Sequence, residues 1–413
     1  MNEGRWAAAV AIGSRLLLVA VAVVTAAVIG VRSRALFLRD PAHAEILEGF
    51  AKRFFEPWAH WDGVWFVRIA ADGYAAHDFS PAFFPLYPLM MRGLAPLTAA
   101  NYVIAGVLIS LACYAAAMLL LYRLARAELG ARVALWSVVF ISLFPTALVF
   151  QAVYSESLFL LLALSCFAAA RRGHWLWAGV AGLLATLTRS SGLALLLPLA
   201  VMWWEQRHAL ALHLPGGPAR VKVQARRPAF GTLAYLLLIP GGLALYMAYL
   251  WRVFGDPWRF GVVQGNWGRG LAAPWSAAWN GAVEGVRGIG WLIVHGPGEI
   301  LGARNVSGGI PIQTLANVFE FAGLLVALVL LVACWRKLPA AYMAYAVAAL
   351  LFPLFYPAEG RPLSSLPRFI LVDFPLFIGL AAVLAQHRRL RWGVAAVMLA
   401  LLIVATVYFA RWS

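Results

Sequence analysis

Apolar residues in this chain fall in long runs, with almost none of the strict alternation that marks a half-buried strand. The first run, Leu16 to Val31, is long enough with its flanks to cross a bilayer. Others lie near 99–122, 133–150, 156–170, 175–188, 190–204, 229–251, 314–334, 340–356, 369–386 and 392–410. Together they predict an all-α polytopic membrane protein of about eleven transmembrane helices. The two shortest runs meet at Thr188-Arg189-Ser190-Ser191-Gly192, where a half-depth hairpin is an alternative to two full crossings. The first run has no convincing small-residue cleavage site and reads as a retained helix. No internal repeat is evident.

Polar and aromatic stretches separate the runs within what reads as a single integral membrane domain spanning 1–413. The largest, 38–98, contains Trp, acids and turn residues in close succession. A basic loop covers 205–228. Residues 252–312 are so broken by Gly and Pro that a re-entrant segment or lid is expected there rather than a clean span. A further loop, YPAEGRPLSSLPRFILVDFP, brings Glu359, Arg361 and Arg368 near the membrane surface.

Composition agrees with the pattern. At 413 residues and 63% hydrophobic, the chain has more apolar surface than a soluble core of that size can bury. The balance of 33 basic against 17 acidic residues, +16 overall, invites a nucleic-acid reading. The distribution argues otherwise, because the cations sit in short clusters between apolar runs: Arg123, Arg126 and Arg132; Arg171 and Arg172; Arg207 to Arg227; Arg336 and Lys337; Arg388, Arg389 and Arg391. With eleven crossings all five clusters share one side, which the positive-inside rule makes cytoplasmic. The N-terminus is then inside and the 38–98 and 252–312 loops outside, although Arg32, Arg34 and Arg39 run against the rule. Cys113, Cys166 and Cys334 are scattered in apolar runs, so neither a disulfide framework nor a metal motif is expected.

Candidate chemistry concentrates in HWDGVWFVRIAADGYAAHDFSPAFFPLYP, His60 to Pro88. Asp62 to Gly73 predicts a short helix with Asp62 as N-cap and Gly73 as the left-handed residue beyond its end. Trp58, Trp61 and Trp65 fall on one stripe of it, suited to anchoring in a membrane interface or to stacking on a sugar. Four ionisable residues at expected helix ends stand out: Asp62, Glu156 in QAVYSESLF, Arg189 in TRSSG and Arg368 in LPRF. An acid with cations at an outer cavity suits a reaction in which a hydroxyl loses its proton and a phosphate departs. Plainer readings stand beside this one. Asp62 and Glu156 read equally well as helix caps, Arg189 and Arg368 as cations reaching for headgroups, and FFPLYP as an interfacial bend. Asn305-Val306-Ser307 matches a glycosylation acceptor, a pattern common by chance.

The ordered set HWDGVWFVRIAADGY, AFFPLYPL, YSESLFLLL and TRSSGL resembles the motifs of the PIG-V family, the glycosylphosphatidylinositol mannosyltransferases and their bacterial relatives. The match covers roughly residues 58 to 195, and LPRFILVDFPLF resembles the C-terminal half more loosely. The resemblance implies a bundle of the GT-C type and an inverting transfer of mannose or a similar hexose from a polyprenyl-phosphate donor. The acceptor is a hydroxyl of a lipid-linked or envelope glycan at the non-cytoplasmic face of the plasma membrane. It makes Asp62 the catalytic base and matches Tyr154, Ser155 and Glu156 to the family's Tyr-Ser-Glu and Arg189 to its Arg-Ser-x-Gly; on chemical grounds Arg189 and Arg368 are the candidate donor-phosphate ligands. His60, Trp61, Trp65, Phe84, Tyr87, Tyr154 and Glu156 become candidates for substrate binding. Ser191 stands where eukaryotic members usually carry Asn. The Ala- and Arg-rich composition, short loops and lack of a retrieval signal suggest a bacterial member. No cofactor is required, although Asp62 and Glu156 could contribute to an oxygen site for a divalent ion. The competing class is a transporter or flippase for a lipid-linked saccharide, for which a coupling acid within the bilayer and repeat symmetry are expected.

Overall fold

The computed structural model describes residues 3–28, 49–75, 78–208, 227–302 and 310–411. Among these the protein is helical, with two isolated β-bridges and no strand. After α1 (Glu3–Val28) come the short helices α2 (Gly49–Phe55), α3 (Asp62–Asp72) and α4 (Leu86–Leu94). A central group follows: α5 (Tyr102–Leu129), α6 (Ala131–Leu143), α7 (Glu156–Arg171), α8 (Trp175–Thr188), α9 (Leu196–His208) and α10 (Leu238–Phe254). The remainder is α11 (Arg259–Val262), α12 (Pro274–Gly302), α13 (Ile310–Cys334), α14 (Ala340–Leu354), α15 (Leu366–Val372), α16 (Phe374–Val383) and α17 (Arg388–Arg411).

Within the described residues each expected apolar run is helical, but several are interrupted where the sequence forbids continuation. The run at 133–150 breaks because Phe144, held extended at ψ 143° ahead of Pro145, cannot stay in the helical region. A 3₁₀ turn, Ala147–Phe150, completes it. The run at 369–386 becomes α15 and α16, bent by 74° at Asp373. Pro375 explains the bend, since its ring and missing N–H prevent a helix from running through it. At 188–195, α8 stops, Arg189 is extended, and a 3₁₀ segment leads into α9. Among the described residues five helices, Glu3–Val28, Tyr102–Leu129, Phe230–Phe254, Gln313–Cys334 and Arg388–Arg411, are long and apolar enough to cross a membrane, and the bent pair makes a sixth. Ala131–Leu143, Trp175–Thr188 and Ala340–Leu354 are apolar but shorter.

The expectation of a broken region over 252–312 holds up to Ala273, where Arg259–Val262 and a 3₁₀ turn, Val263–Trp267, are short, and is corrected beyond it. Pro274–Gly302 is one continuous helix of 29 residues. Two of its glycines are accounted for by packing against α13: a Cβ at Gly285 would lie 2.5 Å from Phe321, and one at Gly288 2.7 Å from Val318. Close approach of α12 to α13 offsets the roughly 1 kcal/mol that each interior glycine costs a helix. Asn305-Val306-Ser307, most of the basic loop, and Arg32, Arg34 and Arg39 lie outside the described residues.

The main core contains an aromatic block. Phe140, Phe150, Phe159, Phe167, Tyr342, Tyr345 and Phe374 are fully buried, and Phe167 meets Tyr342 and Phe374 edge-on, each at 5.0 Å. This block ties α6 and α7 to α14 and α16, and so fixes α15 above it against the N-terminus of α7.

Candidate active site

The site is assembled from four breaks in helical structure. The first is the His-Trp-Asp-Gly turn. Gly63 N–H donates to the His60 carbonyl at 3.0 Å, and Trp61 sits between them at φ 57°, ψ −118°. That conformation belongs to the first central position of a type II′ turn, normally a glycine. Here the sequence expectation is corrected, because Trp61 occupies the cap position, makes no side-chain cap bond, and leaves Asp62 as the first helical residue with its carboxylate directed elsewhere. Gly73 does close α3, at φ 89°. The proposed Trp stripe also dissolves: Trp58 is buried in a 3₁₀ turn before the helix, while Trp61 is 54% exposed.

The turn is fastened to the second break, Ala152 to Glu156. The Trp58 carbonyl accepts from Val153 N–H at 2.8 Å, and Asp62 N–H reaches the Tyr154 hydroxyl at 3.3 Å. Behind this segment, Ser110 donates to the Ala152 carbonyl at 2.7 Å, and Tyr87 lies 2.8 Å from Ser110. Tyr87 of FFPLYP is therefore a buried strut, wholly inaccessible. Phe84 is likewise interior, against Tyr246 at 4.8 Å. His60 is buried too, its Nδ1 3.1 Å from the Phe409 carbonyl of α17. Trp65 is half-buried beside Phe79 and Phe83, at 5.4 and 6.1 Å.

The third break carries Arg189. Gly192 allows it, since a Cβ there would come within 2.6 Å of the Thr186 nitrogen. The fourth is the start of α15, where Ser365 at φ 67° and Pro367 direct Arg368 inward. The Pro367 carbonyl is held by Thr146 at 3.1 Å.

These breaks bring the four sequence candidates into one ionic chain. Arg368 Nη1 donates to Asp62 Oδ2 at 2.6 Å, and its Nε and Nη2 donate to Glu156 Oε1 at 2.9 and 2.6 Å. Arg189 Nη1 meets the same Glu156 oxygen at 2.6 Å. Arg368 lies over the Tyr154 ring at 4.7 Å and Arg189 over Phe369 at 5.1 Å. The two carboxylates differ in access: the Asp62 side chain is 36% exposed and that of Glu156 is 0%. Burial first, and the Asp62 charge second, push the Tyr154 hydroxyl well above its ordinary pKa, so it acts as a hydrogen-bonding group and not a base.

A second ionic group adjoins the first. Glu320 of α13 pairs with Arg361 and accepts from Ser365 N–H at 3.1 Å, while Asn317 donates to the Gly360 carbonyl at 3.1 Å. Arg269 donates to Ser364 Oγ at 3.3 Å. Sequence reasoning passed over Glu320 and Arg269. The signals were present, as the lone acid of an apolar run and as a cation between two glycines, Gly268 and Gly270.

A family model described as Mannosyltransferase (PIG-V) matches residues 7–252. The chain belongs to that family. Membership and the long apolar helices place this PIG-V chain among multi-pass membrane proteins. The matched region holds Asp62, Tyr154, Glu156 and Arg189, whereas Arg269 and Arg368 lie beyond it. No curated protein matches the chain. Among solved structures, it is similar to the Archaeoglobus fulgidus oligosaccharyltransferase tethered with an acceptor peptide, at 13% identity and a TM-score of 0.38 over 83% of this chain and 49% of that one. The archaeal oligosaccharyltransferase AglB of the same organism, in complex with an inhibitory peptide and a dolichol-phosphate, gives 14% and 0.38 over 86% and 51%. The PIG-V chain thus spans about half the length of these solved chains.

Proposed function

We propose that this protein transfers a mannose or similar hexose from a polyprenyl-phosphate donor to a hydroxyl of a lipid-linked or envelope glycan, with inversion, at the non-cytoplasmic face of the plasma membrane. The observation that carries the reading is the difference between the two carboxylates. Glu156, buried and bonded by two guanidinium groups, cannot meet an acceptor, whereas Asp62 keeps an accessible oxygen beside a fixed cation. Asp62 takes the proton of the acceptor hydroxyl as that oxygen bonds to the anomeric carbon. The bond from the anomeric carbon to the phosphate oxygen breaks on the opposite face, and its electron pair leaves with the polyprenyl phosphate. Arg189 and Arg368, through N–H groups not engaged by Glu156 and Asp62, stabilise the growing charge, so no general acid is needed. The exposed Trp61 ring, next to Asp62, offers the acceptor sugar a face for stacking.

Support for the donor class is the family match together with a site rich in arginine. The test is to incubate purified protein in detergent with polyprenyl-phosphate sugars and extracted envelope lipids and to analyse products by mass spectrometry. Donor-dependent sugar addition is expected. Its absence with every donor, with binding intact, would return the chain to the alternative of a lipid-linked saccharide transporter.

A further inference from the structure

Arg189 and Arg368 are largely committed to carboxylates, which poses the question of what neutralises the arriving phosphate. Three guanidinium groups, Arg189, Arg368 and Arg269, face two carboxylates, Asp62 and Glu156, while Glu320 and Arg361 cancel each other. Glu359, whose Oε2 lies 3.9 Å from the Cβ position of Gly268, is exposed to solvent, so among the buried and half-buried groups one positive charge is left over. Arg269 carries it, because among the described residues its side chain meets a hydroxyl, Ser364 Oγ, and no carboxylate within ion-pair distance.

Its position is built rather than incidental. Two residues before it, Trp267 packs on Phe79 at 4.4 Å and edge-on to Phe83 at 6.1 Å, which fastens the loop to the aromatic face beside α3. On the other side, the Gly268 carbonyl accepts from Glu359 N–H at 2.9 Å and Gly270 N–H donates to the Pro357 carbonyl at 3.3 Å. Arg269 and Ala358 form an isolated antiparallel bridge. Gly268 makes the approach feasible, at φ +64° with its Cβ position 3.3 Å from Glu359. Arg269 is thus clamped between the element that carries Asp62 and the loop that leads to Arg368. Burial holds its pKa below the ordinary arginine value, with Asp62 the leading charge that opposes the shift and Arg368 adding to it.

We infer that Arg269 and Ser364 form the first anion site for the phosphate of a lipid-phosphate donor, and that Arg189 and Arg368, which also fix Glu156 and Asp62, add only their remaining N–H groups to it. The site rests on the donor reading above. A half-buried, incompletely neutralised guanidinium beside a hydroxyl matches a phosphate by charge and by hydrogen-bond geometry.

The experiment compares binding of a polyprenyl monophosphate with binding of the polyprenol of equal length to the purified full chain in detergent. Wild-type protein is expected to prefer the phosphate, and Arg269→Gln to reduce that preference by about 10- to 100-fold. Arg269→Lys, which keeps the charge, should retain most of it, and Ser364→Ala should lose a few-fold by the smaller value of a single neutral donor. Arg269→Gln that binds the phosphate as selectively as wild type overturns the site. So does equal competition by phosphatidylglycerol, which would make it a headgroup contact. Wild-type protein without any preference overturns the donor reading instead, so the two failures are distinguishable.

Discussion

Arg368 links Asp62, 2.6 Å from its Nη1, to Glu156, which takes its other two nitrogens. One guanidinium therefore sets the position of the accessible carboxylate by anchoring itself to the inaccessible one. Because Arg189 anchors to the same Glu156 oxygen, three helical breaks far apart in sequence are held at one point. Rigid placement of this kind is what an aligned displacement requires of its base.

Glu156 is then the keystone of stability as well as of geometry. Glu156→Gln leaves two partly buried cations without their shared counter-charge, and unfolding in detergent should become easier by about 3–5 kcal/mol. Adding Arg189→Gln should restore part of the loss, with a coupling of at least about 1 kcal/mol between the two sites. Strictly additive effects in thermal or denaturant melts would show that the ion pair is not an energetic unit.

Trp61 stores backbone strain beside the carboxylate. A non-glycine residue at φ 57°, ψ −118° costs on the order of 1–3 kcal/mol. Trp61→Gly and Trp61→Ala remove the same ring, but only glycine relieves the strain, so the glycine variant should be the more stable by about 1 kcal/mol. Both should raise the acceptor KM while leaving donor binding unchanged. An alanine variant at least as stable as the glycine variant would remove strain from the account.

The membrane orientation has its own test. Ala75 and Lys337 are exposed, the first beyond α3 and the second in a basic cluster after α13. Single cysteines at each, in a background lacking Cys113, Cys166 and Cys334, should differ in intact cells. An impermeant thiol reagent is expected to label Ala75→Cys and to spare Lys337→Cys. The reverse pattern would put the site on the cytoplasmic side.

His60 supplies a pH signature. Burial lowers its pKa, with the bond to the Phe409 carbonyl pulling the other way, so the folded chain keeps it neutral at pH values where the unfolded chain takes up a proton. The unfolded state thus binds more protons below the ordinary His range, near pH 6.5, and stability should fall as the pH drops through it. His60→Gln should flatten that part of the stability profile, and an unaltered profile would remove His60 as its source.

Much of this was legible in the sequence, and for identifiable reasons. Apolar runs and prolines mark the helices and where they stop, and ionisable residues at membrane helix ends singled out Asp62, Glu156, Arg189 and Arg368, which the fold brings together. Individual contacts were not legible. Tyr87 and Phe84 stand in a motif that looks exposed and aromatic, yet their rings fill the interior, since a Pro-rich aromatic stretch reads alike whether it lines a cavity or packs. The glycines of α12 argued for a broken loop because their partners, Phe321 and Val318, lie on another helix. Asp62 matched an N-cap because Trp61 was assumed to be an ordinary residue in an ordinary conformation.

The decisive prediction concerns Asp62. Trp61, not Asp62, is the cap residue, and the Asp62 carboxylate bonds to Arg368, so Asp62→Asn leaves the start of α3 as it is and keeps the shape of the group facing Arg368. Arg368 retains Glu156, so the variant should fold, melt close to wild type and bind donor. What the amide cannot do is accept the acceptor's proton, and transfer should fall by at least about 10²-fold at saturating donor. Asp62→Glu keeps the chemistry but moves the carboxylate by a methylene, which misaligns attack and should also reduce turnover while preserving the contact to Arg368. The loss should appear in kcat and not in donor KM, because the proton is transferred only in the transition state. Near wild-type turnover in a well-folded Asp62→Asn protein would leave Asp62 as a partner for Arg368 alone, and the base would have to be sought elsewhere.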